Sequence, residues 1–227
     1  MDTLFKNLGN SQTLKDKVYS NLKELIITGK IKPGSRLPEE ELSKQMKISR
    51  APIREALNML EREGFATIIP RKGAIVSEVT LEMVQDVWEM RRVLETYAAR
   101  ASVDLIPDAE IDRIEKMVQK VSENPKDLAL YVKCDLALHE MLYKYKNNQY
   151  LSDYISSTAS HSLRVRYFVE YNDTFSMDAV AEVCKDHRTI IAALKERNPD
   201  KVYEAVEQHV LNSQCRSERY LKLAEKG

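Results

Sequence analysis

Residues 49 to 57, Ser-Arg-Ala-Pro-Ile-Arg-Glu-Ala-Leu, constrain the fold of this chain more than any other segment. Ser49 is a favourable N-cap residue, and Pro52 falls in the first turn of the helix that follows, where its missing N–H costs nothing. Arg50 and Arg54 are four residues apart and leave the same face, from which each could reach a guanine edge or a phosphate. The segment is typical of a DNA recognition helix, although a solvated charged helix face shows the same spacing.

The sequence on either side supplies the rest of a winged helix-turn-helix. Apolar residues recur at helical spacing before Gly29, and a second helix opens at Pro38, a position that tolerates proline. Two β-rich runs, 66–69 and 74–76, are separated by Pro-Arg-Lys-Gly at 70–73. This pattern predicts a β-hairpin with two cations at its tip.

Charge is distributed unevenly along the chain. The 227 residues hold 35 basic and 35 acidic side chains. Residues 1–80 contain 14 basic and 10 acidic residues, so the basic excess lies in the part that carries the predicted recognition helix. Because this excess is modest and phosphate contacts weaken with salt, we expect DNA binding to need a dimer that doubles the contacts.

Other classes of protein are disfavoured. No apolar run approaches the length of a membrane span, and the first residues lack the apolar segment of a signal peptide, so we expect a cytoplasmic protein that does not associate with membranes. The three cysteines, at 134, 184 and 215, have no short paired spacing. We therefore expect reduced, mostly packed thiols rather than disulfides or a thiolate metal site.

The remainder of the chain predicts helices alone. Thr80 can cap the first of them. Six stretches have helical periodicity and are separated by Pro or Asn breaks: 81–104, 108–122, 126–146, 149–171, 176–197 and 199–225. The second domain is therefore predicted to be an antiparallel helical bundle.

Histidines in this helical half suggest a metal site. Asp135 and His139 are four residues apart, so their side chains leave one helix face as a chelating pair would. His187 and His209 lie on later predicted helices. One carboxylate and three imidazoles suit a divalent transition ion, with zinc expected first and nickel, manganese, iron or cobalt as alternatives. Spacing alone favours the plainer interpretation that these histidines are packed or surface residues.

Residues 33 to 76 resemble the N-terminal domain of GntR-family transcription regulators. The resemblance rests on Pro33-Gly34-Ser35-Arg36-Leu37, Glu41-Leu42, residues 49–57, Leu60-Glu61, Gly64 and Gly73. It implies that the recognition helix enters the major groove and that the hairpin reaches the neighbouring minor groove. The implied DNA-contacting residues are Ser49, Arg50, Pro52, Arg54, Arg71, Lys72 and Gly73. Ala51 and Glu40 stand where some members have a hydroxyl residue and an arginine.

Residues 82 to 223 resemble the ligand-binding domain of the FadR subfamily of that family, the FCD domain. The resemblance rests on 89–95, on Asp135 to His139 followed by Asn148, on Asp186-His187 leading into Ile190, and on His209. It implies Asp135, His139, His187 and His209 as metal ligands. His161 matches no ligand of the family, and Asp186 replaces a glutamate that is usual before the third ligand.

The resemblance also implies a role for the metal as the anchor of a small organic or sugar acid. Arg91 is expected to point toward the cavity and to meet this effector, with Arg164 and Arg166 either assisting or solvated on their helix. A shift between arrangements of the bundle would change the spacing of two recognition helices in a homodimer on a palindromic operator. Two alternatives remain open: a regulator that senses the metal itself, and a metalloenzyme with a DNA-binding appendage.

The sequence thus predicts a mainly α protein that is not an enzyme. We expect a winged helix-turn-helix DNA-binding domain of three helices and a β-hairpin over 8–77, a linker at 78–82, and an all-helical metal-binding and effector-binding domain over 83–225.

Overall fold

The computed structural model describes residues 13–169 and 177–224. Over these ranges the chain forms nine α-helices and three short strands. They are α1 (Leu14–Ile27), β1 (Arg36–Leu37), α2 (Glu39–Met46), α3 (Arg50–Arg62), β2 (Ala66–Ile69), β3 (Gly73–Val76), α4 (Leu81–Ser102), α5 (Asp108–Glu123), α6 (Leu128–Lys144), α7 (Gln149–Val169), α8 (Met177–Lys195) and α9 (Pro199–Ala224). The chain divides into two compact units, one up to Glu78 and one from Val79 onward.

Local chemistry sets the ends of the first three helices. Thr13 and Asp16 form a reciprocal capping box that starts α1. Pro38 occupies the N-cap position of α2, and Lys47, in the left-handed region at φ 54°, ends that helix. Ser49 stands at the N-cap of α3, but its side chain makes no capping hydrogen bond. The position of Ser49 at the N-cap is confirmed, but the capping hydrogen bond that a serine can make there is absent; the residue is exposed, so water can satisfy the first-turn N–H groups.

The wing is a three-stranded antiparallel sheet with strand order β1-β3-β2. Strands β2 and β3 form the predicted hairpin, with Ala66 opposite Val76 and Ile69 opposite Gly73. The short strand β1 was not predicted, because two residues beside a Pro-Gly turn carry no period-2 pattern. Gly34, at φ 74°, makes that turn and donates its N–H to the Val76 carbonyl, 2.9 Å away.

One apolar cluster holds this unit together. Leu22 and Ile26 of α1 are buried with the apolar stripe of α3 and with Phe65 and Val76. The α3 members of the cluster are Ile53, Ala56, Leu57 and Leu60. Because the apolar stripe fixes which side of α3 faces inward, the opposite side, with Arg50 and Arg54, is exposed.

The second unit is the predicted helical bundle, α4 to α9, and in the described part of it no strand is present. Observed helix ends lie within about two residues of the predicted ones, as expected for boundaries read from periodicity. The predicted ends at 170–171, 176 and 225 lie outside the described residues, as do residues 8–12 of the predicted first domain. None of the described helices is long and apolar enough to cross a membrane.

Side-chain caps begin several bundle helices. The Thr80 hydroxyl accepts from the backbone N–H of Met83 at 3.1 Å, as predicted, and Asn148 caps α7 in the same way. Helix α4 packs against α6, α7 and α9, while α8 packs between α5 and α9. The apolar core includes Trp88, Leu138, Ile190 and Val206. This packing directs one face each of α4, α6, α7, α8 and α9 into the interior, where the buried polar residues lie.

Candidate metal centre and DNA interface

The exposed side of the recognition helix carries two arginines, and each is paired with a carboxylate of α2. Arg54 donates to Glu39 through Nε and Nη2, with the shortest contact at 2.7 Å. Nη2 of Arg50 lies 3.1 Å from Oε2 of Glu40. Nζ of Lys44 lies 3.0 Å from the other oxygen of Glu40, Oε1. The hydrogen bond from Arg54 lowers the pKa of Glu39, so this carboxylate stays ionised at neutral pH.

These pairs orient the arginines without burying them. The side chains of Arg50 and Arg54 are 59% and 63% exposed, so water screens both pairs and neither adds much stability. Pro52 lies on the first turn of the same helix and is half-buried. The guanidinium groups remain reachable by a ligand that approaches the α3 face.

The tip of the wing is exposed and basic. Arg71 adopts φ 65° and Gly73 adopts φ 86°, a left-handed pair that closes the hairpin between β2 and β3. The backbone N–H of Lys72 donates to the Ile69 carbonyl at 3.0 Å. Both cationic side chains therefore extend from a fixed turn, as the sequence predicts for a wing.

In the helical unit, Asp135, His139, His187 and His209 converge. Each offers a ligand atom within 4.8 Å of those of the other three, and all four are buried. Helix α6 supplies the first two from successive turns, α8 supplies His187 and α9 supplies His209. The sequence predicted this set, but the three helices are brought together only by the packing of the bundle.

Three polar atoms of the cluster residues are buried without a hydrogen-bond partner: Oδ1 of Asp135, Nε2 of His187 and Nδ1 of His209. The first two face each other at 3.6 Å. Such atoms cost free energy unless an ion or water fills the space between them. Nε2 of His139 and Nε2 of His209 are 3.2 Å apart. Two metal–nitrogen bonds of about 2.0–2.1 Å place their nitrogens at about this separation. The residues present therefore fit a divalent transition ion.

Carboxylates outside the cluster lie beside two of the imidazoles, and the shorter contact orients His139. Oε2 of Glu95 lies 2.7 Å from Nδ1 of His139, and Oδ2 of Asp186 lies 3.4 Å from Nδ1 of His209. A ring that donates through Nδ1 keeps the lone pair of Nε2 for a metal. Asn212 holds Asp186 in turn, donating to both of its oxygens at 3.1 Å. Asp186, which replaces the glutamate usual at this position, thus places a carboxylate beside His209, although Nδ1 makes no hydrogen bond with it.

Burial also lowers the pKa values of two histidines in the cluster. It lowers the pKa of His209 to about 3, and it lowers the pKa of His187 despite the opposing effect of Asp135. Both rings are therefore neutral at physiological pH, which is the form that coordinates metals. For Asp135, burial alone would raise the pKa, but Arg166 and His139 hold it well below its usual value. The cluster thus offers an anionic carboxylate beside the neutral imidazoles of His187 and His209.

All three arginines that the sequence associated with an effector are buried. Arg91 donates from Nε to Glu95 at 2.7 Å and from Nη1 to Ser162 at 2.9 Å, and its Nη2 lies 3.1 Å from Nε2 of His139. Nη1 of Arg166 donates to Oδ2 of Asp135 at 2.6 Å. Arg164 is 2% exposed. The alternative that Arg164 and Arg166 are solvated on their helix is therefore wrong.

Comparison with known proteins assigns both halves of the chain. Residues 14–76 match the profile of bacterial regulatory proteins of the gntR family, and residues 86–212, more than half of the chain, match the profile of the FCD domain. The chain belongs to the GntR family of regulators. It combines the DNA-binding domain of that family with an FCD domain.

Known members of the GntR family resemble the chain over most of its length. The HTH-type transcriptional repressor RspR of Escherichia coli is 27% identical over 213 residues, covering 92% of this chain and 90% of the repressor. The gluconate operon transcriptional repressor of Bacillus licheniformis is 29% identical over 205 residues, covering 85% and 80%. The solved structure of E. coli McbR/YncC shares the fold, with a TM-score of 0.77, 19% identity and coverage of 92% and 99%.

Sequence reasoning missed several partners of the site residues in this GntR-family chain. Glu95 appeared only within the FCD resemblance, yet it contacts both Arg91 and His139. Its i,i+4 spacing from Arg91 on α4 was the available signal. Ser162 and the pairing of Glu39 with Arg54 depend on contacts between helices, for which the sequence held no signal.

Proposed function

We propose that this GntR-family regulator binds a divalent transition metal at Asp135, His139, His187 and His209, and that the metal anchors a small carboxylate effector. Binding of that effector would change how a homodimer of the chain engages a palindromic operator in the cytoplasm. The observation that carries the proposal is the convergence of four buried ligand atoms within 4.8 Å, two of which have no hydrogen-bond partner.

The donor set indicates which metals suit the site. Three imidazole nitrogens and one carboxylate oxygen match zinc, and they also match nickel, manganese, iron or cobalt. The bound ion would supply positive charge and open coordination positions for an oxygen ligand. Neutral imidazoles at His187 and His209 favour loading near pH 7, because protons do not compete strongly for these nitrogens.

Arg91 supports an anionic effector. Its Nη2 now lies 3.1 Å from Nε2 of His139, the nitrogen that would coordinate the metal, so loading requires this contact to be given up. Glu95 and Ser162 retain the other guanidinium nitrogens, which keeps the group beside the cluster. A released N–H then suits a carboxylate. We propose Arg164 and Arg166, both buried on α7, as further effector-site residues.

The DNA interface is proposed to consist of the exposed face of α3 and the wing. Its residues are Ser49, Arg50, Pro52, Arg54, Arg71, Lys72 and Gly73. Arg50 and Arg54 would read base edges or bind phosphates in the major groove, and the wing tip would bind phosphates. Glu39 and Glu40 must share or release the two arginines when DNA binds, since both guanidinium groups are paired with them.

Exposed apolar side chains support a homodimer. Met90, Val93 and Tyr97 lie along one side of α4 and are 44–58% exposed, and Tyr150 and Tyr154 on the neighbouring α7 are 80% and 63% exposed. Several large apolar side chains exposed on neighbouring helices are typical of a protein interface. Two copies joined there would present two recognition helices, and an effector that prefers one bundle arrangement would change their spacing.

Metal binding is tested by titrating Co²⁺ into chelator-treated protein and following the visible absorption of cobalt. We expect visible d–d bands of protein-bound cobalt that saturate at one ion per chain. His187→Ala should abolish the bands, whereas His161→Ala, which changes a histidine outside the cluster, should retain them. Equal titrations for the two variants would reject the site.

The effector is tested by measuring the melting temperature of metal-loaded protein with a panel of small organic and sugar acids. A ligand at about a hundred times its Kd should stabilise the protein by roughly 2.7 kcal/mol. The shift should vanish in His187→Ala and shrink in Arg91→Lys. If no acid shifts the melting temperature while adding or chelating the metal alone changes DNA binding, the protein is a metal sensor.

A further inference from the structure

A polar groove lies between α8 and α9, apart from the four proposed metal ligands. Its volume is about 430 Å³. Cations line it from both helices: Lys185 from α8, and Arg216 and Arg219 from α9. Two carboxylates, Glu182 and Asp186, also line it. With three cations and two carboxylates, the groove has a positive balance, although the helical half as a whole is acidic.

Arg216 is the unusual member of this groove. It is only 5% exposed, yet its nearest carboxylate oxygens are 3.7 Å away on Glu182 and 3.8 Å away on Asp186. These separations are too long for hydrogen bonds, although a buried guanidinium normally places its donors on a carboxylate or phosphate. The fork of Arg216 therefore lines the groove with donor capacity that its two carboxylate neighbours do not use.

Asp186 cannot easily move to satisfy Arg216. Both of its oxygens accept from Nδ2 of Asn212 at 3.1 Å, and Oδ2 also faces Nδ1 of His209 at 3.4 Å. Glu182, at 3.7 Å, is also beyond hydrogen-bond distance, and its side chain is 57% exposed. A ligand with its own oxygens could provide what these two carboxylates do not.

We infer that the groove binds a small oxyanion, a phosphate or a carboxylate, with Arg216 as the bidentate anchor and Arg219 and Lys185 as supporting cations. Three cations against two carboxylates leave one positive charge in the groove, which a bound anion would offset. A planar guanidinium fork binds two oxygens of either group. This site is separate from the proposed effector site, because it is built from other side chains and does not need the metal.

Cys215 supplies a reporter, since it lines the groove and is exposed, whereas Cys134 and Cys184 are buried. The experiment measures the alkylation rate of Cys215 by uncharged iodoacetamide, resolved by peptide mass spectrometry. Full-length protein freed of metal is titrated with inorganic phosphate at constant ionic strength, with chloride as the reference anion. If bound protein does not react, the rate falls by a factor of 1 + [phosphate]/Kd, about tenfold at ten times Kd.

Variants decide where the phosphate binds. Arg216→Gln should remove the protection of Cys215 by phosphate. Arg219→Gln should weaken that protection. Because Arg219 is exposed, its variant tests the site even if Arg216→Gln fails to fold. Lys222→Gln, which removes one positive charge from the same helix but does not line the groove, should leave it intact. An unprotected Cys215 at phosphate concentrations that saturate a roughly millimolar site would overturn the inference, as would equal protection in all three variants. Because the alkylation experiment uses metal-free protein, its result does not depend on whether the cobalt titration detects a metal site.

Discussion

Oε2 of Glu95 lies 2.7 Å from Nδ1 of His139, with both side chains buried in the helical bundle. Burial would raise the pKa of Glu95, but Arg91 and His139 outweigh it and hold the pKa well below its usual value. Glu95 is therefore an anion at every physiological pH. It fixes His139 as the tautomer whose Nε2 faces the other proposed ligands.

Glu95→Gln should weaken metal binding. The negative charge of Glu95 favours an Nδ1–H donor on His139 and makes its ring more basic, and the amide removes that charge. Loss of such an orienting contact typically lowers metal affinity about 10-fold to 100-fold. Competition with a chromophoric chelator measures the affinity, and circular dichroism verifies that the variant is folded. Glu89→Gln, an exposed change on the same helix, is the control. An affinity equal to that of the control would show that Glu95 has no part in binding.

Arg166 is expected to substitute in part for the metal in holding Asp135. Its Nη1 donates to Oδ2 at 2.6 Å, while Oδ1 has no hydrogen-bond partner. Arg166→Met removes this cation from a buried carboxylate and should destabilise metal-free protein by about 3–5 kcal/mol. A bound divalent ion would compensate for part of the loss.

The increase in melting temperature on adding Zn²⁺ should therefore be larger for Arg166→Met than for the unmodified chain. Asp135→Asn should show almost no increase, because the anionic ligand is gone. Calorimetry with and without the metal measures both. Equal increases for Arg166→Met and the unmodified chain would mean that the ion does not contact Asp135.

The sequence predicted site residues that share one face of a single helix better than it predicted contacts between residues on different helices. Asp135 and His139 are one turn apart, and the arginines of α3 stand opposite its apolar stripe, so local periodicity indicated both. That His187 and His209 belong with them came from the resemblance, since periodicity cannot bring three helices together. The burial of Arg164 could not be predicted, because it depends on how α7 packs against the other helices of the bundle.

The recognition helix is tested by Arg54→Lys. A lysine keeps the charge but loses the fork that can bind two acceptors of a guanine, so the free energy of operator binding should weaken by about 1–3 kcal/mol, or roughly 5-fold to 150-fold in affinity. The operator is first selected from a random duplex library. Because Arg54 is 63% exposed, the melting temperature should not change. Arg62→Lys, at the last turn of α3, is the matched control, and unaltered binding by Arg54→Lys would reject the assignment.

The cysteines should differ sharply in reactivity. Burial raises the pKa of Cys134 to about 12, so almost none of it is thiolate at pH 8, and the folded bundle blocks reagents. Cys215 is exposed on α9 and should be alkylated by iodoacetamide in the native protein. Peptide mass spectrometry after a short exposure measures each site. Alkylation of Cys134 as fast as Cys215 would contradict the packing of α6 in the bundle.

Glu40 should limit the affinity of the chain for DNA of any sequence. Its carboxylate lies 3.1 Å from Arg50. Glu39 and Glu40 are both paired with arginines of the α3 face that is proposed to bind phosphates. Glu40→Gln frees Arg50 and removes one repulsive charge, so binding to a random duplex should strengthen and should depend more steeply on salt concentration. Fluorescence anisotropy at several salt concentrations measures both quantities. Glu55→Gln, which removes an exposed carboxylate of α3 that lies 3.8 Å from Lys15, is the control. If both variants strengthen binding equally, net charge rather than the release of Arg50 is the cause.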